Sequence, residues 1–233
     1  MKKTLLTVAV IGALGLTSNA FAYEKGDWLV RAGLTTVAPD ASSSNILVGG
    51  ADFALGGATV GGVDVDNNTQ LGLNIAYFFT DNINVEVLAA TPFSHDIDIL
   101  GGAAELGSTK HLPPTVTVNY YFADPSAKFQ PYAGVGLNYT IFFDEEFNDG
   151  TVGVIEDAAE ATVSDLDLDA SFGWSFQVGA DYEVSEGIYI NGSVRYIDIE
   201  TEASFKVNGA DLGSVETVEI NPWVYTLSVG YKF

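Results

Sequence analysis

The sequence predicts an all-β protein, an eight-stranded antiparallel transmembrane β-barrel with short periplasmic turns and long external loops. Three observations lead to this prediction. Large apolar residues recur at every second position in eight segments of the 233-residue chain. Short and long connections alternate strictly between these segments. The chain also begins with the pattern of an export signal.

The export signal is the N-terminal segment MKKTLLTVAVIGALGLTSNAFA. Its two lysines precede an apolar run, and the run ends in the small-residue motif Ala20-Phe21-Ala22. That order is typical of a cleaved secretory signal peptide, whose apolar core is too short for a transmembrane helix. We therefore predict that residues 1–22 are removed and that residues 23–233 form a barrel in the outer membrane of a Gram-negative cell.

The eight apolar segments are each long enough to cross a bilayer as tilted strands, which takes ~9–11 residues. Three short connections carry turn residues, and four long ones, 37–68, 94–111, 144–169 and 201–217, are rich in glycine or acidic residues. This alternation is typical of outer-membrane barrels, which close because hydrocarbon tolerates no unpaired sheet edge. The predicted strands are Trp28–Thr36, Thr69–Phe79, Ile83–Phe93, Leu112–Phe122, Phe129–Phe143, Ala170–Val184, Ile188–Glu200 and Val218–Phe233.

A soluble up-and-down barrel of the lipocalin type is the rival fold, since it also has about eight strands. The two differ in their aromatic side chains, because a membrane barrel carries them outward near both interfaces. With the apolar register facing outward, aromatics gather at both strand ends and smaller aliphatics lie between, which favours the membrane barrel. The periplasmic girdle would contain Trp28, Tyr77, Phe79, Tyr120, Phe122, Tyr182, Tyr231 and Phe233. The external girdle would contain Phe93, Tyr139, Phe143, Phe172, Trp174, Tyr196, Trp223 and Tyr225.

Four stretches carry a family resemblance: NNTQLGLNIAYFFTDNINVEVLAATPFSHDI (67–97), KHLPPTVTVNYYF (110–122), FQPYAGVGLNYTIFF (129–143) and NPWVYTLSVGYKF (221–233). Together they resemble the OmpW family of small eight-stranded outer-membrane barrels. The resemblance covers nearly the whole mature chain and weakens in two of the external loops. It implies a narrow channel or a receptor for small hydrophobic molecules. The terminal Phe233, with Tyr231 before it, also resembles the signal that barrel-assembly machinery recognises, so we expect that machinery as a partner.

Residues out of step with the apolar register should point into the barrel, whose interior is nearly filled by side chains at this strand number. Two interpretations of the polar members remain open. They form either a polar core in which arginine and lysine offset glutamate and aspartate, or a selectivity constriction. The residues concerned are Arg31, Glu86, Asn119, Gln177, Asp181, Arg195 and Lys232.

Inward positions near the external end are apolar instead. They could admit a hydrophobic solute and exclude ions, or they could only pack the base of the loops. The expected apolar mouth consists of Leu88, Ala90, Pro92, Phe142, Ile197 and Ile199.

Prolines mark the external end of the third and fourth strands. Pro92 and the pair Pro113-Pro114 lie on either side of the loop 94–111, and proline cannot donate to a β-ladder. We therefore predict a lateral gap at Pro92, Pro113 and Pro114, through which a hydrophobic solute could leave sideways into the membrane. The alternative is that these prolines only end the strands.

An enzyme is the other class of function to weigh. Ser94-His95-Asp96 invites comparison with a catalytic triad, but adjacent residues of an extended strand point to opposite faces. His95 and His111 could approach each other and hold a metal with a nearby aspartate, although paired loop histidines are more often plain surface. The stretch GGADFALGGATVGG (49–62) has no lysine and no helix to follow, so we predict a flexible loop. We expect no enzymatic activity, no cofactor and no metal.

The net charge is −22, and the sequence contains no cysteine. We do not expect so acidic a chain to bind nucleic acid or bare anionic lipid headgroups. The absence of cysteine excludes thiol chemistry. Loop 144–169 is strongly acidic, which predicts a solvated surface or, alternatively, Ca²⁺ or Mg²⁺ bridges to lipopolysaccharide phosphates. The sequence thus predicts a narrow route for small hydrophobic molecules, surrounded by outer-membrane lipid and lipopolysaccharide. The alternative is a non-transporting structural or stress-related barrel, or a receptor that binds a partner through its external loops.

Overall fold

A computed structural model describes residues 23–55, 57–99, 102 and 104–233, so the predicted signal peptide lies outside the described residues. Among these residues, no helix is long and apolar enough to cross a membrane. The described strands, in chain order, are β1 (Trp28–Ala38), β2 (Ser42–Ser43), β3 (Ile46–Val48), β4 (Ala51–Asp52), β5 (Ala54–Leu55), β6 (Ala58–Thr59), β7 (Asp64–Val65), β8 (Asn68–Thr80), β9 (Ile83–Ala90), β10 (Phe93–Ile99), β11 (Ala104–Leu112), β12 (Thr115–Tyr121), β13 (Phe129–Phe147), β14 (Val163–Leu168), β15 (Ser171–Ser185), β16 (Ile188–Ile197), β17 (Glu200–Val207), β18 (Ala210–Glu219) and β19 (Trp223–Lys232). Helix α1 (Asp149–Ala159) lies between β13 and β14.

Eight of the described strands close into the predicted antiparallel barrel. Their order around the wall is β1, β8, β9, β12, β13, β15, β16, β19 and back to β1. The closing seam pairs Leu29 with Lys232 at the periplasmic end and Ala38 with Trp223 at the external end. Beyond it, the Phe233 N–H donates to the Trp28 carbonyl oxygen at 2.8 Å. Both the fold class and the pairing of the last strand with the first are confirmed.

Side chains alternate between the lumen and the outer face along these strands, as the period of two predicts. Trp28 and Phe233 at the periplasmic end and Tyr225 at the external end are exposed, as expected for girdle residues. The placement of Phe93 in the external girdle is wrong, because this side chain is only 1% exposed. Odd-numbered residues face outward in β9 but inward in β10. The break at Thr91-Pro92 therefore shifts the alternation by one residue, which exchanges the two faces.

The long connections are more ordered than the predicted loops. The segment 49–62, predicted to be a flexible loop, carries β4, β5 and β6 in short antiparallel pairs. The acidic segment 144–169 contains α1, which the period-two reading did not predict. Asn148 caps this helix, since its side-chain oxygen accepts hydrogen bonds from the Gly150 and Thr151 N–H groups.

These connections fold together over the external end of the barrel. We call this part the cap; it comprises β2 to β7, β10, β11, α1, β14, β17 and β18. Part of it is a six-stranded sheet in which β14, β17, β18, β3 and β4 are neighbours and β2 pairs with β18. Strands β10 and β11 form a hairpin that continues the barrel wall outward along β13. The buried apolar core of the cap contains Ile46, Val63, Phe93, Ile197, Ile199, Val215 and Val224 among others.

Candidate functional site in the lumen and the cap

A cluster of aromatic side chains fills the periplasmic end of the lumen. The Tyr23 ring stacks on Phe78 with centroids 4.3 Å apart and on Tyr189 at 5.2 Å. Its hydroxyl donates to Asp181 Oδ2 at 2.9 Å. Leu29, Ala76, Tyr121 and Tyr132 complete the cluster, and all its members are buried. The packed rings therefore close this end of the barrel.

Four buried charges form an ion network beside the aromatic cluster. Arg31 donates to Glu86 Oε2 at 2.6 Å and to Asp181 Oδ1 at 3.0 Å. Arg195 donates to Glu86 Oε1 at 2.7 Å. Two positive groups thus meet two negative groups, so each buried charge has a partner of opposite sign, as a low-dielectric interior requires. Arg195 Nη1 is buried without a hydrogen-bond partner. Arg31, Glu86, Asp181 and Arg195 together fill the lumen at this level.

Amides extend the ion network across the barrel. The Gln177 amide N–H donates to Asn119 Oδ1 at 2.6 Å, and its oxygen accepts from Arg195 Nε at 3.0 Å. The structure therefore brings together six of the seven polar residues predicted for the lumen. Lys232 lies apart from them at the periplasmic rim, 18% exposed, with its Nζ 3.3 Å from Asp27 Oδ2. Whether the network also selects solutes stays a prediction.

Hydroxyl and amide side chains form the next level toward the outside. Thr35 and Thr226 are hydrogen-bonded through their hydroxyl oxygens at 3.1 Å. The Asn138 amide donates to Thr115 Oγ1 at 3.1 Å. Thr140 donates to Asn138 Oδ1 at 2.8 Å. The polar character of the lumen therefore continues above the ion network and ends only at the cap.

The cap encloses a cavity of about 290 Å³ over the external end of the barrel. Its walls are built chiefly from residues of the predicted loops, which sequence reasoning missed. The available signal was a set of apolar residues inside otherwise glycine- and acid-rich segments, such as Ile46–Val48. Among the lining residues are Ile46, Phe53, Val63, Leu106, Val152, Ile155, Leu166, Phe205 and Val215.

The predicted apolar mouth is only partly the lining of this cavity. Phe142 lines it directly. Ile197 and Ile199 are fully buried in the cap core, and Ala90 packs against that core. Leu88 is also buried. These residues are apolar and inward-facing as predicted, but most of them pack in the core around the cavity and do not line it.

The barrel wall is interrupted at the predicted prolines. Strand β9 pairs with β12 up to Leu88, and β10 pairs with β11 from Phe93 onward. In the described part of the chain, no register pair or backbone hydrogen bond joins residues 89–92 to residues 112–114. We call this interruption the wall gap. The structure adds that pairing resumes beyond the gap, where sequence reasoning expected it only to stop.

The prolines of the wall gap differ in orientation. Pro113 is buried, whereas Pro92 and Pro114 are exposed. The assignment of Pro92 to the apolar lining is therefore wrong, because the shift of alternation at Thr91-Pro92 turns it outward. The Pro113 carbonyl oxygen accepts a hydrogen bond from a side chain two residues along the chain. The Pro114 carbonyl oxygen accepts one from the Tyr139 N–H on β13 at 3.2 Å. None of these contacts closes the gap.

Two histidines lie in the cavity wall, on the two strands that pair just beyond the wall gap. His95 and His111 both line the cavity, and their Nε2 atoms are 3.0 Å apart. His95 Nδ1 lies 2.6 Å from the Asp66 carbonyl oxygen. Burial lowers the pKa of His111 to about 3, with a smaller effect from His95. Burial also lowers the pKa of His95, against the opposing effect of Asp66.

The residues next to His95 do not join it. Ser94 and Asp96 are exposed while His95 is buried, so the three side chains diverge along the strand as predicted. Within the described residues, no group of three or more histidine, cysteine, aspartate or glutamate side chains is placed to hold a metal ion.

Two carboxylates of the acidic segment 144–169 form ion pairs with lysines on the outside of the cap. Asp144 accepts from Lys110 Nζ at 2.9 Å, and Asp165 from Lys206 Nζ at 3.1 Å, both in exposed positions. Val152 in α1 is buried, so the segment also contributes to the cavity. Binding of divalent cations by its carboxylates stays a prediction.

The terminal aromatics lie at the opposite end of the molecule. Tyr231 and Phe233 are exposed at the periplasmic rim, with ring centroids 4.7 Å apart in an edge-to-face arrangement. Their position leaves both rings accessible from the lipid side.

Along nearly its whole length the chain is similar to known outer-membrane proteins. A family model described as the OmpW family matches residues 24–233. The chain is 47% identical to outer membrane protein W of Vibrio cholerae serotype O1, over the full length of both proteins. The crystal structure of OprG from Pseudomonas aeruginosa matches with a TM-score of 0.77 and 38% identity, covering 92% of this chain and 99% of that one. The dibenzothiophene metabolism operon protein PahQ of Pseudomonas aeruginosa is 26% identical over the full length of both proteins.

Proposed function

Because this chain belongs to the OmpW family and is a barrel of the outer membrane, we propose that it gives small hydrophobic molecules a narrow route through that membrane. The solute enters the cap cavity from outside and leaves sideways through the wall gap. The observation that carries this proposal is the contrast between two levels of the barrel. An almost wholly apolar cavity lies above a lumen that buried charges fill.

The sideways direction follows from the cost of the alternative. An apolar solute moving straight down would have to displace Arg31, Glu86 and Asp181 from one another, and separating buried charges is expensive. The wall gap offers an exit with no ladder hydrogen bonds to break. It opens toward the hydrocarbon, where an apolar solute is stable. The name of the relative PahQ refers to the metabolism of dibenzothiophene, an apolar aromatic compound, which supports the same class of solute.

The decisive experiment restores the ladder at the wall gap. The double variant Pro113→Thr/Pro114→Thr supplies two N–H donors opposite residues 89–92, so we expect pairing to extend and uptake to slow. The readout is the initial rate at which cells carrying the protein take up labelled n-octane. Pro131→Thr is the matched control, because Pro131 lies in β13 within a fully paired part of the wall. Unchanged uptake in the double variant would refute the lateral route.

A second variant tests the cavity without touching the barrel. Val152 lines the cavity from α1, so Val152→Trp should fill much of its volume and lower uptake. Val154→Trp is the control, because Val154 lies on the same helix but is exposed. Equal uptake in the two variants would show that the cavity is not on the route.

A surface receptor is the second candidate function, and the packed lumen favours it. The aromatic cluster and the ion network are buried inside the barrel, while the cap presents an ordered sheet to the outside. Under this alternative, uptake of the hydrophobic solute is the same in cells lacking the protein, in cells with the wild-type protein and in cells with the proline or Val152 variants. We infer no catalytic role, since Ser94 and Asp96 diverge from His95.

A further inference from the structure

One aromatic ring of the cavity wall rests on a glycine. Phe205 on β17 pairs with Gly213 on β18, so the two positions share one face of the cap sheet. A Cβ added at Gly213 would overlap three adjacent carbons of the Phe205 ring at nearly equal distances. A point beyond the rim of a ring cannot be equally near to three adjacent carbons, whereas a point over its flat side can. The Phe205 ring therefore covers the glycine with one of its faces.

This face of the cap sheet is the one that lines the cavity. Ala203 and Val207, the alternate neighbours of Phe205 along β17, are both lining residues, and so is Val215 on β18. Side chains two residues apart lie on the same face of a sheet, and Phe205 itself lines the cavity. Because one face of its ring lies on Gly213, a solute in the cavity meets the opposite face or the rim.

A second ring forms a corner with Phe205. The ring centroid of Phe147, at the end of β13, lies 5.9 Å from that of Phe205, and the two ring planes are at 88° to each other. Phe147 also lines the cavity. A flat aromatic solute in this corner can lie parallel to one ring and perpendicular to the other, the two arrangements that aromatic pairs prefer. A saturated solute with the same carbon skeleton gains neither interaction, because it has no π-face.

The volume of the cavity suits a solute of about two rings. An engineered apolar cavity of ~150 Å³ stays dry and binds one benzene molecule. The cap cavity has about twice that volume, about 290 Å³. Its wall is also almost wholly apolar, since the polar side chains among the described lining residues are those of His95, Thr109 and His111.

We propose that the cavity prefers flat aromatic hydrocarbons of about two rings, and that Phe205 determines this preference while Gly213 positions its ring. The inference rests on the proposed function and names the class of solute for the same cavity. Gly213 acts through Phe205, because a side chain at position 213 would force the ring off the sheet and into the space that the solute occupies.

The test compares naphthalene with trans-decalin, which has the same carbon skeleton without aromatic rings. Both are supplied as vapour at the same fraction of saturation, so the comparison does not depend on how strongly each dissolves in lipid. Binding is followed by methyl NMR of the full barrel in lipid nanodiscs. Val152 lines the cavity and reports its occupancy, whereas Val116, exposed on the outer face of β12, reports solute in the lipid. We expect naphthalene to saturate the Val152 signal at about tenfold lower vapour saturation.

Three variants separate the roles of the ring and the glycine. Phe205→Leu removes the ring but keeps an apolar side chain, so the preference for naphthalene should fall to about twofold or less, with trans-decalin bound as before. Gly213→Ala should weaken the binding of both solutes about tenfold, because the displaced ring fills part of the cavity. The double variant Gly213→Ala/Phe205→Leu should recover trans-decalin binding, since no ring is left to displace. Gly153→Ala on α1 is the matched control, because a Cβ there meets no atom within 4 Å.

Each part of the inference has a result that would overturn it. Equal binding of both solutes by the wild type would refute the aromatic preference and leave the hydrophobic route standing. A tenfold preference that survives Phe205→Leu would mean that another residue determines it. Unchanged binding in Gly213→Ala would mean that the glycine does not position the ring. If Val116 responds to both solutes and Val152 to neither, the cavity takes no small apolar ligand, and the proposed function fails together with the inference.

Discussion

Arg31 Nε donates to Asp181 Oδ1 at 3.0 Å, across the lumen and across 150 residues of sequence. The bond joins β1 to β15, which are not neighbours in the wall. The same guanidinium reaches Glu86 on β9. One side chain therefore ties three separated strands of the barrel together, in addition to the ladder bonds that join neighbours.

Replacing Arg31 should destabilise the barrel strongly. Arg31→Met removes the positive group but keeps an unbranched side chain, and it leaves Asp181 and Glu86 with less compensation in a buried site. Breaking a buried ion pair from one side typically costs about 3–5 kcal/mol. The measurement is the free energy of unfolding in urea, with the protein in phospholipid vesicles. Lys110→Met is the control, because its partner Asp144 is exposed and such surface pairs contribute only ~0–1 kcal/mol.

The ion network should hold the barrel together without setting its transport. Arg195→Ala removes the 2.7 Å ion pair between these residues, and Glu86→Gln removes its negative charge, so we expect lower unfolding free energies from both. Hydrophobic uptake should stay unchanged, since the proposed route leaves the barrel above the network. Single-channel conductance in planar bilayers is the second readout. A rise in conductance with normal stability would instead support a selectivity constriction.

The closing seam should depend on Gly33. A Cβ added at Gly33 would overlap the Leu227 carbonyl oxygen and the Ser228 side chain on β19. Gly33→Ala should therefore disturb the pairing of the first strand with the last and cost about 1–3 kcal/mol, as overpacking commonly does. Gly192→Ala is the matched control, since a Cβ there meets no atom within 4 Å. The urea midpoint of the folded barrel measures both, and equal midpoints would contradict the close approach at the seam.

The membrane-spanning strands could be predicted from the sequence because the same physical requirement applies to each of them. Hydrocarbon demands outward apolar side chains and a closed ladder, so alternation alone placed Arg31, Glu86 and Arg195 inside. Which of these residues would meet was not predictable, since Arg31 and Asp181 are brought together by barrel curvature and not by sequence spacing. Lys232 followed the same inward alternation, yet its place at the end of the last strand puts it at the rim beside Asp27.

The fold of the cap was not predicted from the sequence, because its segments share no repeated pattern. The alternation of inward and outward side chains does not continue across Thr91-Pro92. A shift of one residue there exchanges the inward and outward faces of the strand, so the Phe93 side chain lies inside. The capping residue Asn148, followed by the acidic Asp149 in the first turn, was a readable helix signal that the search for alternating residues did not use. The cavity itself depends on several segments packing together, and apolar residues such as Val152 reveal this only once the segments are folded.

The histidine pair should make the cap less stable as the pH falls. His95 and His111 lie on β10 and β11, beyond the eight membrane-spanning strands, and burial lowers the pKa of His111 to about 3 and also lowers that of His95. An unfolded histidine titrates near ~6.5, so below that pH the opened cap binds protons that the closed cap excludes. The free energy of opening should then fall by up to about 1.4 kcal/mol per pH unit for each histidine, while above about pH 7.5 it should be constant.

Nearby carboxylates also titrate as the pH falls. The pH dependence caused by the histidines must therefore be measured as the difference between the wild type and a variant that lacks them. Partial burial, together with Asp66, Glu105 and Asp98, raises the pKa of Asp96, so protonation of Asp96 favours the closed cap at low pH and opposes the histidines. The double variant His95→Phe/His111→Phe keeps these carboxylates and lacks both imidazoles. Amide hydrogen exchange of β10 and β11, corrected for intrinsic rates between about pH 7.5 and about pH 5, gives the opening free energy of each protein. The wild type should show the steeper loss toward low pH, and parallel pH profiles would mean that the buried pair does not control the cap.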